Sequence, residues 1–210
     1  MCSLPSAHLC FFTNCLPIQV EKIPFSFSSL DDYLTSYIAP LIEETRSGLS
    51  SCLEQIAEAP SSKILSMEVA GKSGLYFMDV DFWDNGAGFS TETYTARNGD
   101  IFILSSMKPE AADDFNRYGL TYCLAMVTEV SMNDEYQKGF KVKVSNDTGL
   151  ERNFSKLVHA TFLDNIMTNI RIWKALCFDS SMNNNFTIIR SLLAPRNMVI
   201  YLSSYYFVCS

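Results

Sequence analysis

The chain has 210 residues, a hydrophobic fraction of 48% and a net charge of −7. This is enough apolar material for one buried core with helical appendages, and it excludes a globally disordered chain. It also lacks the basic excess that displaces counterions from a polyanion, so tight unaided binding to nucleic acid is not expected.

The sign of the charge changes along the chain. Residues 29–60 hold six acids against Arg46, residues 61–164 hold fifteen acids and ten bases, and residues 165–210 hold four bases against Asp179. Seven irregularly spaced cysteines without a C-x-x-C pair, and two histidines, support neither a zinc nor a c-type haem site. Buried or idle thiols in a reducing compartment are expected, with no metal and no cofactor. Residues 1–17 have no basic stretch ahead of their apolar residues, so they do not read as a secretory signal. The sequons at Asn146, Asn153 and Asn185 therefore carry no weight. The apolar run Met198–Val208 is too short to span a bilayer, and no membrane role is expected.

Residues 1–28 read as an irregular leader broken by Pro5, Pro17 and Pro24. A long helix is predicted over 29–60, with Ser28 as its N-cap and Asp31 and Asp32 favouring its start. Leu30, Leu34, Tyr37, Ile38, Leu41, Ile42, Leu49, Cys52, Leu53 and Ile56 form an apolar stripe at helical spacing. Pro40 should kink or divide this helix, and Pro60 ends it.

From Ile64 the hydrophobic period becomes two. Strands are predicted near 64–69, 75–82, 100–104, 120–130, 140–144 and 157–163, with Tyr76, Met78, Val80 and Phe82 on the inner face of the second. Asn98-Gly99 is a turn signal, and Lys108-Pro109 opens an excursion to Gly119 between the third and fourth strands. Six short strands with turn signals between them predict a small antiparallel barrel over 61–164, so the fold class is α+β. Asp164 is the expected N-cap of a helix over 165–178, whose stripe is Ile166, Ile170, Trp173 and Cys177. A short helix over 186–193 completes the region 165–195, and residues 196–210 form an unplaced tail.

Several constellations suggest chemistry and fail on inspection. Gly71-Lys72-Ser73 ends like a phosphate-binding loop, but the required earlier glycine is Ser66 and a strand follows instead of a helix; a hairpin turn is the better reading. Cys123 and His159 could be imagined as a thiolate–imidazole pair, yet both fall in strand patterns with no orienting partner. Asp79, Asp81 and Asp84 lack the glycine and terminal glutamate of a calcium loop and read as a wet strand face. Lys138, Lys141 and Lys143 form the densest basic patch of the barrel; solvated lysines are the plain reading, and nucleic-acid contact the functional one. No catalytic, cofactor or metal residue is assigned.

One set of runs, taken in order, carries a resemblance: Val20–Pro24, Pro40–Arg46, Gly99–Ser105, Lys108–Glu110, Phe140–Val144 and Asn165–Leu176. Over about residues 18–193 the chain resembles the N-terminal region of plant senataxin-like helicases of superfamily 1, also labelled MAGATAMA-type, a region that can be described simply as a plant domain of unknown function. The resemblance implies an accessory barrel on a stalk of two helices, 29–59 and 165–178, ahead of an ATPase core. None of that core's motifs is present here, so the expected product is a non-catalytic fragment truncated before the motor. RNA or DNA would be a partner only within a complete helicase, and a nuclear location, otherwise a cytoplasmic one, follows by resemblance. Leu34, Ile38, Leu41, Ile170 and Trp173 are the expected docking residues for the motor. The alternative is a stand-alone barrel adaptor that holds a protein partner through its exposed helices.

Overall fold

The computed structural model describes residues 19–71, 74–85, 94–117, 122–130, 139–145 and 156–177. Six strands, β1 (Ser61–Val69), β2 (Leu75–Val80), β3 (Asp100–Ser105), β4 (Tyr122–Val130), β5 (Phe140–Val144) and β6 (His159–Asn165), close into a barrel. Its circular order is β1-β2-β5-β4-β3-β6, with every neighbouring pair antiparallel. Closure leaves no unpaired strand edge. A long helix precedes the barrel and a shorter one follows it, giving the expected α+β class.

Side-chain alternation sorts the apolar residues into two cores. Tyr76, Met78 and Val80 of β2, Phe102 and Leu104 of β3, Cys123, Ala125 and Val127 of β4, Phe140, Val142 and Val144 of β5, and Ala160 of β6 fill the lumen. Aromatic rings plug one part of it: Trp83 stacks on Phe102 at 5.2 Å, Tyr94 meets Trp83 at 4.7 Å and Phe162 at 5.0 Å, and Phe102 lies 5.6 Å from Phe140. The second core lies outside the barrel wall. Ile101, Ile103, Leu124 and Leu163 face outward and are covered by Leu49, Leu53 and Ile56, with Phe115 beside them. Strand β3 is therefore buried over its whole length.

The helical segment 29–60 is divided, as Pro40 requires. Helix α1 (Leu30–Ser36) ends at Tyr37, and α2 (Ile38–Leu53) begins there, which puts Pro40 in a first turn where its missing amide costs no hydrogen bond. The cap shifts by one residue: the Ser29 side chain accepts from the Asp32 amide at 3.0 Å, while Ser28 donates to the Asp32 carboxylate. α2 stops at Leu53, and a 3-10 turn, Ile56–Glu58, leads into β1. In the excursion after β3, the four-residue helix α3 (Asp114–Arg117) returns Phe115 to the outer core, and the Asp114 carboxylate accepts from the amides of Glu110 and Ala111 at 2.8 and 3.0 Å.

Helix α4 (Met167–Leu176) starts later than expected. The Asp164 carboxylate binds the adjacent Asn165 amide at 2.7 Å, and it is Asn165 Oδ1 that accepts from the Met167 amide, at 3.0 Å. Asn165 also ties this start to β3, donating through Nδ2 to Asp100 Oδ1 at 2.6 Å and to the Asn98 carbonyl at 3.0 Å. Gly99 lies under the same clasp at φ +87°, where an added Cβ would sit 2.9 Å from the Met167 Cβ. Phe82 is a second correction: β2 ends at Val80, and Phe82 is 76% exposed instead of facing the lumen.

Among the described residues the chain divides into two compact units, 44–170 and 19–43 with 171–177. The division cuts through α2 and α4, not at 60/61 and 164/165, because the second half of α2 is part of the outer core. The leader's first eighteen residues, the helix expected at 186–193 and the tail 196–210 lie outside the described residues.

Gly99→Ala should cost about 1–3 kcal/mol through its left-handed backbone and the Met167 overlap. Gly48→Ala, in a helix with nothing within 4 Å of the new methyl, should gain about 0.5–1 kcal/mol. Urea midpoints that moved the same way would refute the assignment. The Thr161 hydroxyl is fully buried and has no hydrogen-bond partner among the described residues. Thr161→Val should therefore stabilise the barrel by about 1 kcal/mol, and a loss in the same measurement would show that the hydroxyl is satisfied.

Candidate functional site

The lysines of β5 do lie on one outer face, but they do not make a basic surface. Lys141 is in register with Phe77 of β2 and Glu129 of β4, and Phe77 is in register with Glu68 of β1. The row around the barrel thus reads acid, ring, base, acid. Lys141 Nζ binds Glu129 Oε2 at 2.8 Å, so its charge is already answered at a solvent-exposed site. Lys143 is exposed and in register with Leu75 and Met126. The Phe77 ring lies over Gly139, where a Cβ would meet it at 2.2 Å, so the barrel wall here is a packed surface. Lys138 lies outside the described residues.

Register separates the imagined thiol–imidazole pair. Cys123 pairs with Leu104 and Leu104 with Ala160, all three facing the lumen. His159 pairs with Ser105 and Lys63 on the opposite face. Burial pushes the Cys123 thiol up to about 12, which makes it a poor nucleophile. Gly71 begins the β1–β2 hairpin at φ +99°, and the Ala70 amide donates to the Leu75 carbonyl at 2.9 Å across it; Lys72 and Ser73 lie outside the described residues. Asp84 joins Lys108 at 3.4 Å and pairs by its backbone with Ser61. Among the described residues no group of three metal-ligating side chains occurs.

The expected docking residues divide. Leu34 and Leu41 are each only 7% exposed, so they are covered within the chain and have no face to offer a partner. Ile38, Ile170 and Trp173 are half-buried, and α4 contains no buried residue at all.

A different group of side chains gathers around His159. Lys63 is its cross-strand neighbour on β1, and Ser105, its neighbour on β3, donates to the Met107 carbonyl at 2.7 Å just before Lys108. Burial first, then Lys63 and Lys108, hold the imidazole below its ordinary pKa. Sequence inspection missed this group because 96 positions separate Lys63 from His159 and only strand register joins them.

The pH dependence follows from these directions. The folded state favours neutral His159, so its contribution is present above 6.5 and is lost as pH falls below that value. His159→Gln should flatten the acid side of a stability–pH profile, and an unchanged slope would dismiss the effect. In the native protein at about pH 8, Cys123 should resist iodoacetamide until the barrel is unfolded, as read by peptide mass mapping.

No curated protein matches the chain. A family model described as "Domain of unknown function (DUF6469)" matches residues 8–200, nearly the full length, and the chain belongs to that family.

Proposed function

We propose that this chain is a non-catalytic accessory region, a barrel carried on two helices, of the kind found ahead of the motor in senataxin-like helicases. The observation that carries the reading is the junction at the base of the barrel. α2 leads in and α4 leads out, and Asn169 Nδ2 donates to Thr45 Oγ1 at 2.8 Å between them. Leu49 and Leu53 of α2 lie in the same packed core as Ile101 and Leu163 of the wall, with Ile166 beside them just ahead of α4. Within the unit 44–170 the helix ends that flank the barrel are thus packed on its wall, an arrangement suited to an accessory region attached to a motor. The ordered sequence runs described above support the same reading.

In this role the chain works through position. ATP hydrolysis would belong to a motor encoded in continuity with it, and RNA or DNA would be met only within that larger protein, in the nucleus. The Lys141–Glu129 pair and the acidic Glu68 beside that row argue for, at most, a small contribution of β5 to strand contact. A second reading, an adaptor that holds a protein partner, is favoured by one observation: α4 has no buried residue, and its Ile172 is 43% exposed.

Long-read sequencing of transcripts from the locus tests the first reading. The expected result is an in-frame G-x-x-x-x-G-K-[ST] motif downstream of codon 195. Its absence from every transcript would overturn the helicase reading and leave the adaptor. The isolated chain should show no nucleic-acid-stimulated ATP hydrolysis.

A further inference from the structure

Exposed apolar side chains are scattered on most folded surfaces, but here they converge. Leu65, Phe82, Met107 and Val158 are 61, 76, 52 and 39% exposed, and they come from four different segments. Backbone pairing brings those segments to one side of the barrel. The Ile64 amide donates to the Val158 carbonyl at 2.8 Å, and the Val158 amide donates to the Ser105 carbonyl at 2.9 Å, which sets Leu65 and Met107 on either side of Val158. The Ser62 hydroxyl donates to the carbonyls of Asp81 and Phe82 at 2.9 and 3.3 Å, which holds Phe82 beside the start of β1.

The charges among these residues choose between partner classes. Lys63 stands between them with no ion pair among the described residues, and Lys156 is exposed two residues before Val158. Lys108 is joined to Asp84, and the Asp81 amide is tied to the Lys63 carbonyl at 2.9 Å, so two carboxylates lie within the same surface. A polyphosphate chain would meet both carboxylates, and of the four apolar side chains only Phe82 offers a ring on which a base could stack. A protein segment does not carry a charge at every unit: it buries apolar side chains against the patch, needs no ring stacking, and sets a single carboxylate over Lys63 or Lys156.

We infer that this side of the barrel, formed by Leu65, Phe82, Met107 and Val158 around Lys63, docks a short protein segment whose apolar side chains are flanked by carboxylates. This goes beyond the accessory-region reading and stands whether or not a motor follows the barrel.

The test is selection of a phage-displayed peptide library on the full chain, followed by titration of the strongest peptide. The selected peptides should share apolar residues flanked by Asp or Glu. Phe82→Ser and Met107→Ser, both at exposed positions, should each weaken binding at least about fivefold with unchanged thermal melting, since aromatic residues and methionine are enriched in interfaces and a few anchors carry most of the binding energy. Lys63→Glu should weaken it similarly, and a peptide with lysine in place of its acidic residue should bind that variant better than it binds the parent. Lys143→Gln, on β5, should have no effect. Three outcomes would overturn the inference: selected peptides indifferent to Phe82, Met107 and Lys63; a basic consensus; or a labelled oligouridine bound more tightly than any peptide and lost on the same substitutions, which would assign the patch to nucleic acid.

Discussion

Burial of β3 on both faces is the constraint on which the rest of the fold depends. A strand alternates its side chains, so a strand with one covered face needs only every second residue to be apolar. Here Phe102 and Leu104 enter the lumen while Ile101 and Ile103 point outward, and all four are 6% exposed or less. The outward pair demands a cover, and Leu49, Leu53 and Ile56 provide it. At roughly 1.5–3 kcal/mol for each fully buried large apolar side chain, the outer layer is comparable in weight to a sector of the lumen. The helix before the barrel is thus part of its wall, which is why the compact unit starts at Glu44 within α2.

The end of β3 is fixed by polar groups. Asp100 is 2% exposed, a costly place for a carboxylate unless its lone pairs are met. It accepts from the Tyr94 hydroxyl, from the Arg97 amide at 2.7 Å and from Asn165 Nδ2 at 2.6 Å. Burial, and then the hydrogen bond to Asp100, raise the Tyr94 pKa well above the ordinary phenol range, so the hydroxyl stays a donor. Tyr94 also packs in the aromatic plug of the lumen, and Asn165 also sets the first turn of α4. One carboxylate therefore couples the plug, the Asn98-Gly99 turn and the departure of the last helix. The close Gly99–Met167 approach belongs to the same clasp, with the Gly99 amide on the Val127 carbonyl and the Gly99 carbonyl on the Ile166 amide.

Much of this was legible in the sequence where a rule acts over a few residues. Period-two alternation and short apolar runs located all six strands, Asn98-Gly99 marked its turn, and Pro40 divided its helix. Errors arose where a residue's fate depends on something distant. Phe82 continues the inward pattern of β2, but the chain leaves the sheet at Asp81 to bridge Asp84 to Ser61, and the ring goes with it. Asp164 and Asn165 are equally good caps by composition; Asn165 takes the role because Asp100 and the Asn98 carbonyl already hold its amide. The circular strand order was not accessible either, since local pattern does not say that β2 pairs with β5 or β6 with β1.

The same distinction governs the functional surfaces. Lys141 and Lys143 attract attention because they are adjacent on one strand, yet closure of the barrel places Glu129 beside Lys141 and Glu68 across Phe77, and the apparent basic patch becomes a mixed row. The Leu65, Phe82, Met107 and Val158 group is invisible as a motif because its members are far apart in sequence, with Phe82, Met107 and Val158 just beyond strand ends. A closed barrel has no free edge, so a partner cannot be bound by extending its sheet. Part of the outer wall is already spent: Ile101, Ile103, Leu124 and Leu163 lie under α2 and the 3-10 turn. The side where Lys63 and His159 meet keeps its exposed apolar side chains because no helix of the described residues covers it.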